Sequence, residues 1–389
     1  MTLKRAIGKL HLWLGLASGL VVFILGITGC ILVFEYDLRD LIYKDRYFIE
    51  QENKPRLPVQ QMISIGEQAM GHGLKATAVR IYEAGNRTAA IYVYKENPRG
   101  WNYFDAIDAE YTVFVNPYNG RVQHVENTKF EFFRLMVMLH YDLLMESIGK
   151  QVIGWSTVIF IVLLISGLIL WWPKNKAAAK QRFAFRWKDT TKWKRKNYDL
   201  HNILGFYALI AALIIGLTGL VWAFKWFDHS LQWLANGGSA TPEEKTYHSD
   251  SLAVKKPGVL DMVVADMRKR SPNELYAVSI PQTAKEAIYA YSQTESVGYK
   301  WTSLYYDRNT GANLYTQYYS ERVAGDKLRS MNYYIHTGAI LNMPGKILAF
   351  IVSFICAGLP VTGFYIWIGR KNKKKAKRPV HLHRRINTS

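Results

Sequence analysis

Four runs of this sequence are apolar for long enough to cross a bilayer: Leu10–Phe34, Val152–Trp172, Ile203–Phe224 and Ile347–Ile368. A hydrocarbon core demands about 20 residues of helix to span it. Inside it every backbone N–H and C=O must be satisfied within the segment, which leaves the helix as the form such runs can take. Tryptophans gather near the run ends (Trp13, Trp171, Trp172, Trp222, Trp226, Trp367), the positions of an interfacial belt.

The charge follows the same frame. Fifty Lys/Arg face thirty Asp/Glu, a net +20 that alone would suggest nucleic acid. The excess sits in three stretches, with three Lys/Arg in residues 1–10, ten in 173–200 and nine in 369–389, against the two acids Asp189 and Asp199. Each stretch borders an apolar run, so the bias reads as topology, and no nucleic-acid partner is expected. Both termini and the 173–200 loop are expected in the cytoplasm, with the protein multi-pass in a bacterial inner membrane. Ile27-Thr28-Gly29-Cys30 has the look of a lipoprotein cleavage box. The apolar run continues to Phe34, so an uncleaved anchor is expected. Cys30 and Cys356 lie in separate apolar runs and read as packing residues.

The chain also repeats itself. Displaced by 190 residues, His11…Gly15 falls on His201…Gly205, Gly26-Ile27-Thr28-Gly29 on Gly216-Leu217-Thr218-Gly219, and Phe34 on Phe224. Displaced by 196, His140 falls on His336, Gly149-Lys150 on Gly345-Lys346, Ser166-Gly167 on Thr362-Gly363, and Trp171 on Trp367. Each half is helix out, extracytoplasmic insert, helix in, which makes a parallel repeat about an axis along the membrane normal.

The inserts carry matching signals. In the first, a helical stretch at Pro58–Ile65 precedes alternating strands at Ala78–Tyr82, Ala90–Tyr94 and Tyr111–Val115, closed by the turn Asn116-Pro117-Tyr118-Asn119-Gly120. In the second, a helix at Val259–Lys269 precedes strands at Tyr276–Ile280, Ala287–Tyr291 and Ser303–Tyr306, then Asp307-Arg308-Asn309-Thr310-Gly311. The expected fold class is membrane α plus α/β: a four-helix transmembrane bundle from a tandem duplication, with two small helix-plus-antiparallel-sheet domains. In order these are a first membrane helix (1–39), an extracytoplasmic domain (40–130), an interfacial segment with the second helix (131–172) and a basic loop (173–200). The second half follows with a third helix (201–226), a second domain (227–330), an interfacial segment with the fourth helix (331–368) and a basic tail (369–389).

Of ten histidines, His72, His124, His229, His248, His381 and His383 read as ordinary surface residues. The other four occupy duplicated positions. His11 and His201 start helices 1 and 3, and His140 and His336 lie about ten residues before runs 2 and 4. That distance puts the second pair on separate interfacial helices that fold over the bundle. A normal-directed two-fold sets repeat mates at equal depth, so His11 should face His201 and His140 should face His336. Opposed imidazoles supply both axial positions of a haem iron, a closed ligation suited to electron transfer. Two b-type haems, one near each face, would divide the membrane into shorter hops. Gly15, Gly19, Gly26, Gly29, Gly205, Gly216 and Gly219 would leave room for flat rings, although close helix packing explains any single one equally well. Arg5, Lys9, Arg195 and Lys196 lie where haem propionates would emerge on the cytoplasmic side, and topology-setting charge is their competing explanation. No carboxylate or thiolate stands at ligand spacing beside these histidines, which argues against a mononuclear metal site.

Leu10-His11-Leu12-Trp13-Leu14-Gly15-Leu16, Asp199-Leu200-His201-Asn202 with Gly205, Leu217-Thr218-Gly219 and Asn116-Pro117…Gly120 together resemble the PepSY-associated transmembrane family, over nearly the whole chain. That family includes iron-regulated membrane proteins and inner-membrane ferric-siderophore reductases. The resemblance implies two periplasmic PepSY-like domains on a haem-bearing four-helix base, with His11, His140, His201 and His336 as candidate iron ligands. It implies reduction of the ferric iron of a siderophore complex in the periplasm. Pro360, inside the fourth run, departs from the pattern. No flavin or nicotinamide motif is visible, so electrons would come from a membrane quinol or a cytoplasmic reductase. Tyr305, Tyr306, Tyr315, Tyr318 and Tyr319 could help dock a substrate, although tyrosines are ordinary strand residues. Two other readings compete: a membrane-anchored regulatory or peptidase-binding protein without redox activity, and a transporter.

Overall fold

The computed structural model describes residues 2–376 apart from 72, 174, 244 and 296; His72, His381, His383 and the end of the basic tail lie outside the described residues. Four of its helices are long and apolar enough to cross a membrane: α1 (Leu3–Leu32), α5 (Glu146–Trp171), α6 (Trp193–Ala223) and α10 (Asn342–Ala376). The protein is a membrane protein of mixed helix and sheet. α1 packs on α5 and α10, and α6 packs on the same two, so the four form a closed ring. Small residues set the crossings: a Cβ on Gly26 would lie 2.8 Å from the Ala357 backbone, so α1 and α10 touch almost main chain to main chain. Pro360 sits inside α10 without ending it and packs toward Gly19.

Between the spans lie α2 (Glu35–Ile42), α3 (Val59–Met70), α4 (Phe132–Asp142), α7 (Lys225–Ala235), α8 (Val259–Arg270) and α9 (Ala324–His336). The strands are β1 (Ala78–Tyr82), β2 (Ala89–Glu96), β3 (Ile107–Val115), β4 (Val122–Asn127), β5 (Leu275–Ser279), β6 (Ile288–Gln293), β7 (Thr302–Tyr306) and β8 (Asn313–Gln317).

One feature departs from the arrangement of two separate small domains. The eight strands form a single sheet in the order β4-β3-β2-β1-β5-β6-β7-β8. β1 and β5 pair antiparallel, from Ala78↔Ser279 to Tyr82↔Leu275, and so join the two meanders. One apolar core then serves both inserts. Val59, Met62 and Ile63 of α3 and Val263, Val264 and Met267 of α8 pack on one face of the sheet, against Val79, Ile91, Val113, Val278, Ile288 and Leu304. Strand alternation sends the intervening residues to the opposite face. Nothing local encodes the β1–β5 join, because it satisfies edge groups of strands almost 200 residues apart.

The two meander turns are built alike. Gly120 (φ +74°) and Gly311 (φ +70°) close them in the left-handed region, and their N–H groups donate to the carbonyls of Asn116 and Asp307. The buried Asp307 carboxylate accepts from the backbone N–H of Asp250, Asn309 and Thr310 and from the Thr310 hydroxyl. Burial pushes its carboxyl up, but these donors outweigh burial and hold it below the usual carboxylate range. The stabilisation is therefore present above the unfolded carboxyl's range, near about pH 4, and is lost as pH falls through the lowered folded value. Asp307→Ala is expected to cost about 1–3 kcal/mol in denaturant unfolding at neutral pH, and much less at pH 2.

Candidate cofactor-binding site

His11, on the first turns of α1, has its Nδ1 2.8 Å from Ser166 Oγ on α5. His201, in α6, has its Nδ1 2.9 Å from Thr362 Oγ1 on α10. At the sheet end, His140 on α4 reaches Thr28 Oγ1 of α1 at 2.8 Å, and His336 on α9 reaches Thr218 Oγ1 of α6 at 2.9 Å. All four histidines thus use the same device, a hydroxyl presented by another helix of the same half.

The hydroxyls fix which ring nitrogen carries the proton. Each is also within hydrogen-bond reach of a carbonyl of its own helix: Ser166 with Leu163 at 3.2 Å, Thr362 with Gly358 at 2.9 Å, Thr28 with Ile24 at 2.7 Å, Thr218 with Ile214 at 2.8 Å. A hydroxyl has one proton to give. Spent on the carbonyl, it leaves the oxygen to accept from the imidazole, so Nδ1 carries the hydrogen. At His336 a second acceptor, the Ile215 carbonyl 3.1 Å from Nδ1, requires the same tautomer. Nε2 is then bare in each ring, and among the described residues no hydrogen bond reaches any of the four Nε2 atoms. An imidazole whose N–H is tied back and whose other nitrogen is free is in the form that binds a metal.

A glycine follows each hydroxyl residue, and the ring lies over it. A Cβ there would stand 3.4 Å from His11 Cε1 at Gly167, 3.3 Å from His201 Cε1 at Gly363, 3.5 Å from His140 Cε1 at Gly29 and 3.6 Å from His336 Cε1 at Gly219. Seen this way, Ser/Thr-Gly is one unit: the hydroxyl orients the ring and the missing side chain makes room for it. The sequence displayed all four pairs, but only the fold shows that each serves a histidine.

The backbone around the rings is unusual in two places. His201 lies in a π-helical turn, Leu200–Leu204, the kind of local widening that occurs at functional positions. α4 and α9 fold back over the bundle through tight turns. In the first, Leu143, Leu144 and Glu146 all have positive φ. A Cβ on Gly149 would lie 1.5 Å from the Asp142 carbonyl oxygen, and one on Gly345 2.0 Å from that of Gly338. These contacts are repeat mates, and both turns bring back the helix that carries a sheet-end histidine.

The histidines open onto two cavities. One, of about 470 Å³, is lined by His11 and His201 with Gly15, Gly19 and Gly205. The other, of about 300 Å³, is lined by His140 and His336 with Gly26, Gly29 and Gly219. Both volumes fall in the range of cofactor sites. The His140 and His336 ring centroids are 6.1 Å apart with planes at 73°. Two imidazoles on one metal at bonds of about 2.0 Å, with centroids set back about 1 Å further, would stand about 6 Å apart. Trp171 stacks on Phe206 with centroids 3.8 Å apart, and its buried Nε1 has no partner among the described residues at the wall of the larger cavity. Among the described residues no three His, Cys, Asp or Glu side chains converge on one point. The donor set is therefore two imidazoles per cavity, which suits a metal whose other positions come with its own macrocycle.

The cations differ from those read in the sequence. Lys4, Arg182 and Arg370 line the larger cavity. Arg5 and Lys9 are exposed and sit one position, about 100°, off the α1 face that carries Lys4, Gly8, His11 and Gly15. Arg195 pairs with Asp199 at 2.9 Å, and Lys196 lies 5.7 Å over the Trp187 ring. At the sheet end, Lys150 and Glu35 line the smaller cavity.

The profile described as PepSY-associated TM region matches residues 9–370, nearly the whole chain and all four histidines. The chain belongs to the PepSY-associated transmembrane family. No protein with a curated description matches it. Membership of the PepSY-associated family agrees with the four spans and says nothing by itself of what fills the cavities.

Proposed function

We propose that this PepSY-associated protein carries electrons across a bacterial inner membrane through two b-type haems and reduces the ferric iron of siderophore complexes on the far side. The observation that carries the reading is the arrangement of four imidazoles in two pairs at opposite ends of the bundle, each with Nδ1 within 2.9 Å of a Ser/Thr oxygen and, among the described residues, no hydrogen bond at Nε2. His11 and His201 would hold one haem, and His140 and His336 the other. Bound in this way, haem supplies a one-electron couple with no open coordination site, which favours transfer over oxygen chemistry.

The chain's own residues do the rest. Ser166, Thr362, Thr28 and Thr218 hold the rings in place, so no ligand rearranges when charge changes. Lys4, Arg182 and Arg370, which line the basic-end cavity, would offset the propionate charge of a haem bound there. The positive-inside rule places that end in the cytoplasm and the sheet in the periplasm. The stoichiometry is simple: one membrane quinol yields quinone, two protons and two electrons, enough to turn two ferric ions into Fe(II). A cytoplasmic reductase could supply the same electrons one at a time. Fe(II) is held more weakly by oxygen donors designed for Fe(III), and so leaves the chelate.

Pre-reduced protein mixed with a ferric siderophore and a ferrous-specific dye is expected to lose its reduced spectrum as the dye colours, in equal electron counts. A reduced spectrum that persists beside the chelate would overturn the reading. Ser166→Ala is expected to weaken haem retention at the basic end by about 10–100-fold, the usual effect of losing the partner of a metal-bound histidine. Haem release to apomyoglobin measures it.

A further inference from the structure

We propose that Arg80 and the tyrosines around it form a seat for an anionic chelate on the bundle-facing side of the sheet; this rests on the ferric-chelate reading above and names the charge class of its substrate. Val79 and Ile81 enter the core beneath α3 and α8, so Arg80, between them on β1, emerges from the opposite face. Its cross-strand neighbours on that face are Ala90 and Ala277, side chains too short to cover a guanidinium. Around it stand Tyr92, whose ring centroid is 5.4 Å away, and Tyr291, whose hydroxyl is 3.4 Å from Nη2. Nε is buried and has no partner among the described residues.

A buried guanidinium normally has a carboxylate. Here the nearby carboxylates are committed elsewhere. Glu35 and Glu131 both pair with Arg39, at 2.9 and 2.7 Å, and Glu126 pairs with Arg46 at 2.6 Å. Asp40 and Glu295 pair with Arg87, at 3.0 and 3.5 Å. Arg80 is left as a desolvated cation ringed by phenols, with donors to spare. Such a group is satisfied by an anion with oxygen acceptors.

The space below leads to the sheet-end histidines. Tyr36 of α2 lies within electrostatic reach of Arg80, Tyr291 and Tyr333 and yet is 64% exposed, so the region is open to solvent. Tyr333 lines the His140–His336 cavity and lies three residues before His336 on α9. A chelate whose charge is held by Arg80 would therefore rest beside the point where electrons emerge. Phenol donors and a lone cation favour anionic complexes, such as catecholates or carboxylates, over neutral hydroxamates.

Binding can be read without electron transfer by calorimetry on the full-length protein in nanodiscs. The probes are redox-inert gallium(III) tris-catecholate, a trianion, and neutral gallium(III) tris-acetohydroxamate. The trianion is expected to bind more tightly, Arg80→Gln to weaken it by about tenfold or more, and Arg80→Lys to recover part of the loss. Should Arg80→Gln fail to fold, Tyr291→Phe, which removes one hydroxyl, is expected to weaken the trianion alone. Equal affinity for the two probes, or an unchanged affinity in a folded Arg80→Gln protein, would overturn the proposal. Because the gallium probes accept no electron, trianion binding through Arg80 in a protein without haem would leave this seat standing while removing the reductase reading. Chelate reduction with unaltered Arg80→Gln binding would do the reverse.

Discussion

Gly149→Ala is expected to detach the helix carrying His140 from the bundle and, on the two-haem reading, to cost the sheet-end cavity its haem. The α4–α5 turn brings the Asp142 carbonyl to where the new methyl would be, at 1.5 Å, far inside any contact distance. The obstacle is main chain, so no rotamer change relieves it, and the turn already holds Leu143, Leu144 and Glu146 at positive φ. Overpacking of this kind costs about 1–3 kcal/mol, and more where backbone must move. The displaced helix would carry His140 away from Thr28. Gly345→Ala, which meets the Gly338 carbonyl at 2.0 Å, is expected to do the same to His336. Gly358→Ala is the control: nothing lies within 4 Å of its Cβ, and alanine is expected to add about 0.5–1 kcal/mol to α10. Thermal unfolding with parallel haem absorbance separates the three. A Gly149→Ala protein with wild-type stability and spectrum would contradict the turn's role.

The second large effect concerns the pairs. His201→Ala is expected to remove the basic-end haem and leave the sheet-end one, and His336→Ala to do the opposite. The two variants should therefore have different residual spectra and potentials. If the pairing ran instead along each half, His11 with His140 and His201 with His336, either variant would damage the same haem. The structure speaks against that arrangement, since His140 and His336 line one cavity and His11 and His201 another. Identical residual spectra from His201→Ala and His336→Ala would sink the depth assignment.

Much of this was legible in the sequence because it is local. Apolar length gave the four spans, and strict alternation placed β1, β2, β3, β5, β6 and β7 within a few residues of their observed bounds. β4 and β8 were missed: Val122–Asn127 and Asn313–Gln317 are polar edge strands, and the apolar pattern that marks a strand is weakest there. The single sheet was missed for another reason, since the β1–β5 pairing joins segments with no sequence relation beyond each being a strand.

The site divides along the same line. The histidines stood out because they recur, and their separation from runs 2 and 4 already demanded helices that fold back. The role of Ser166, Thr362, Thr28 and Thr218 could not be read, because each hydroxyl meets a histidine more than 110 residues away. Arg5 and Lys9 lie a single helical position from the cavity-lining Lys4 and Gly8, since neighbouring positions on a helix are equivalent as charge but not as direction. Tyr306, one of the tyrosines read as possible docking residues, is in the core under α8, whereas Tyr305 and Tyr315 pack against Tyr247 on the other face.

The central claim is that each cavity holds one haem between two histidines. Haem per chain, measured as pyridine haemochrome on protein expressed with ample haem, tests it most directly. Two per wild-type chain, falling to one in His11→Ala and to one in His140→Ala, is the predicted result. A wild-type chain that is folded and carries none, or single variants that keep both, would contradict it.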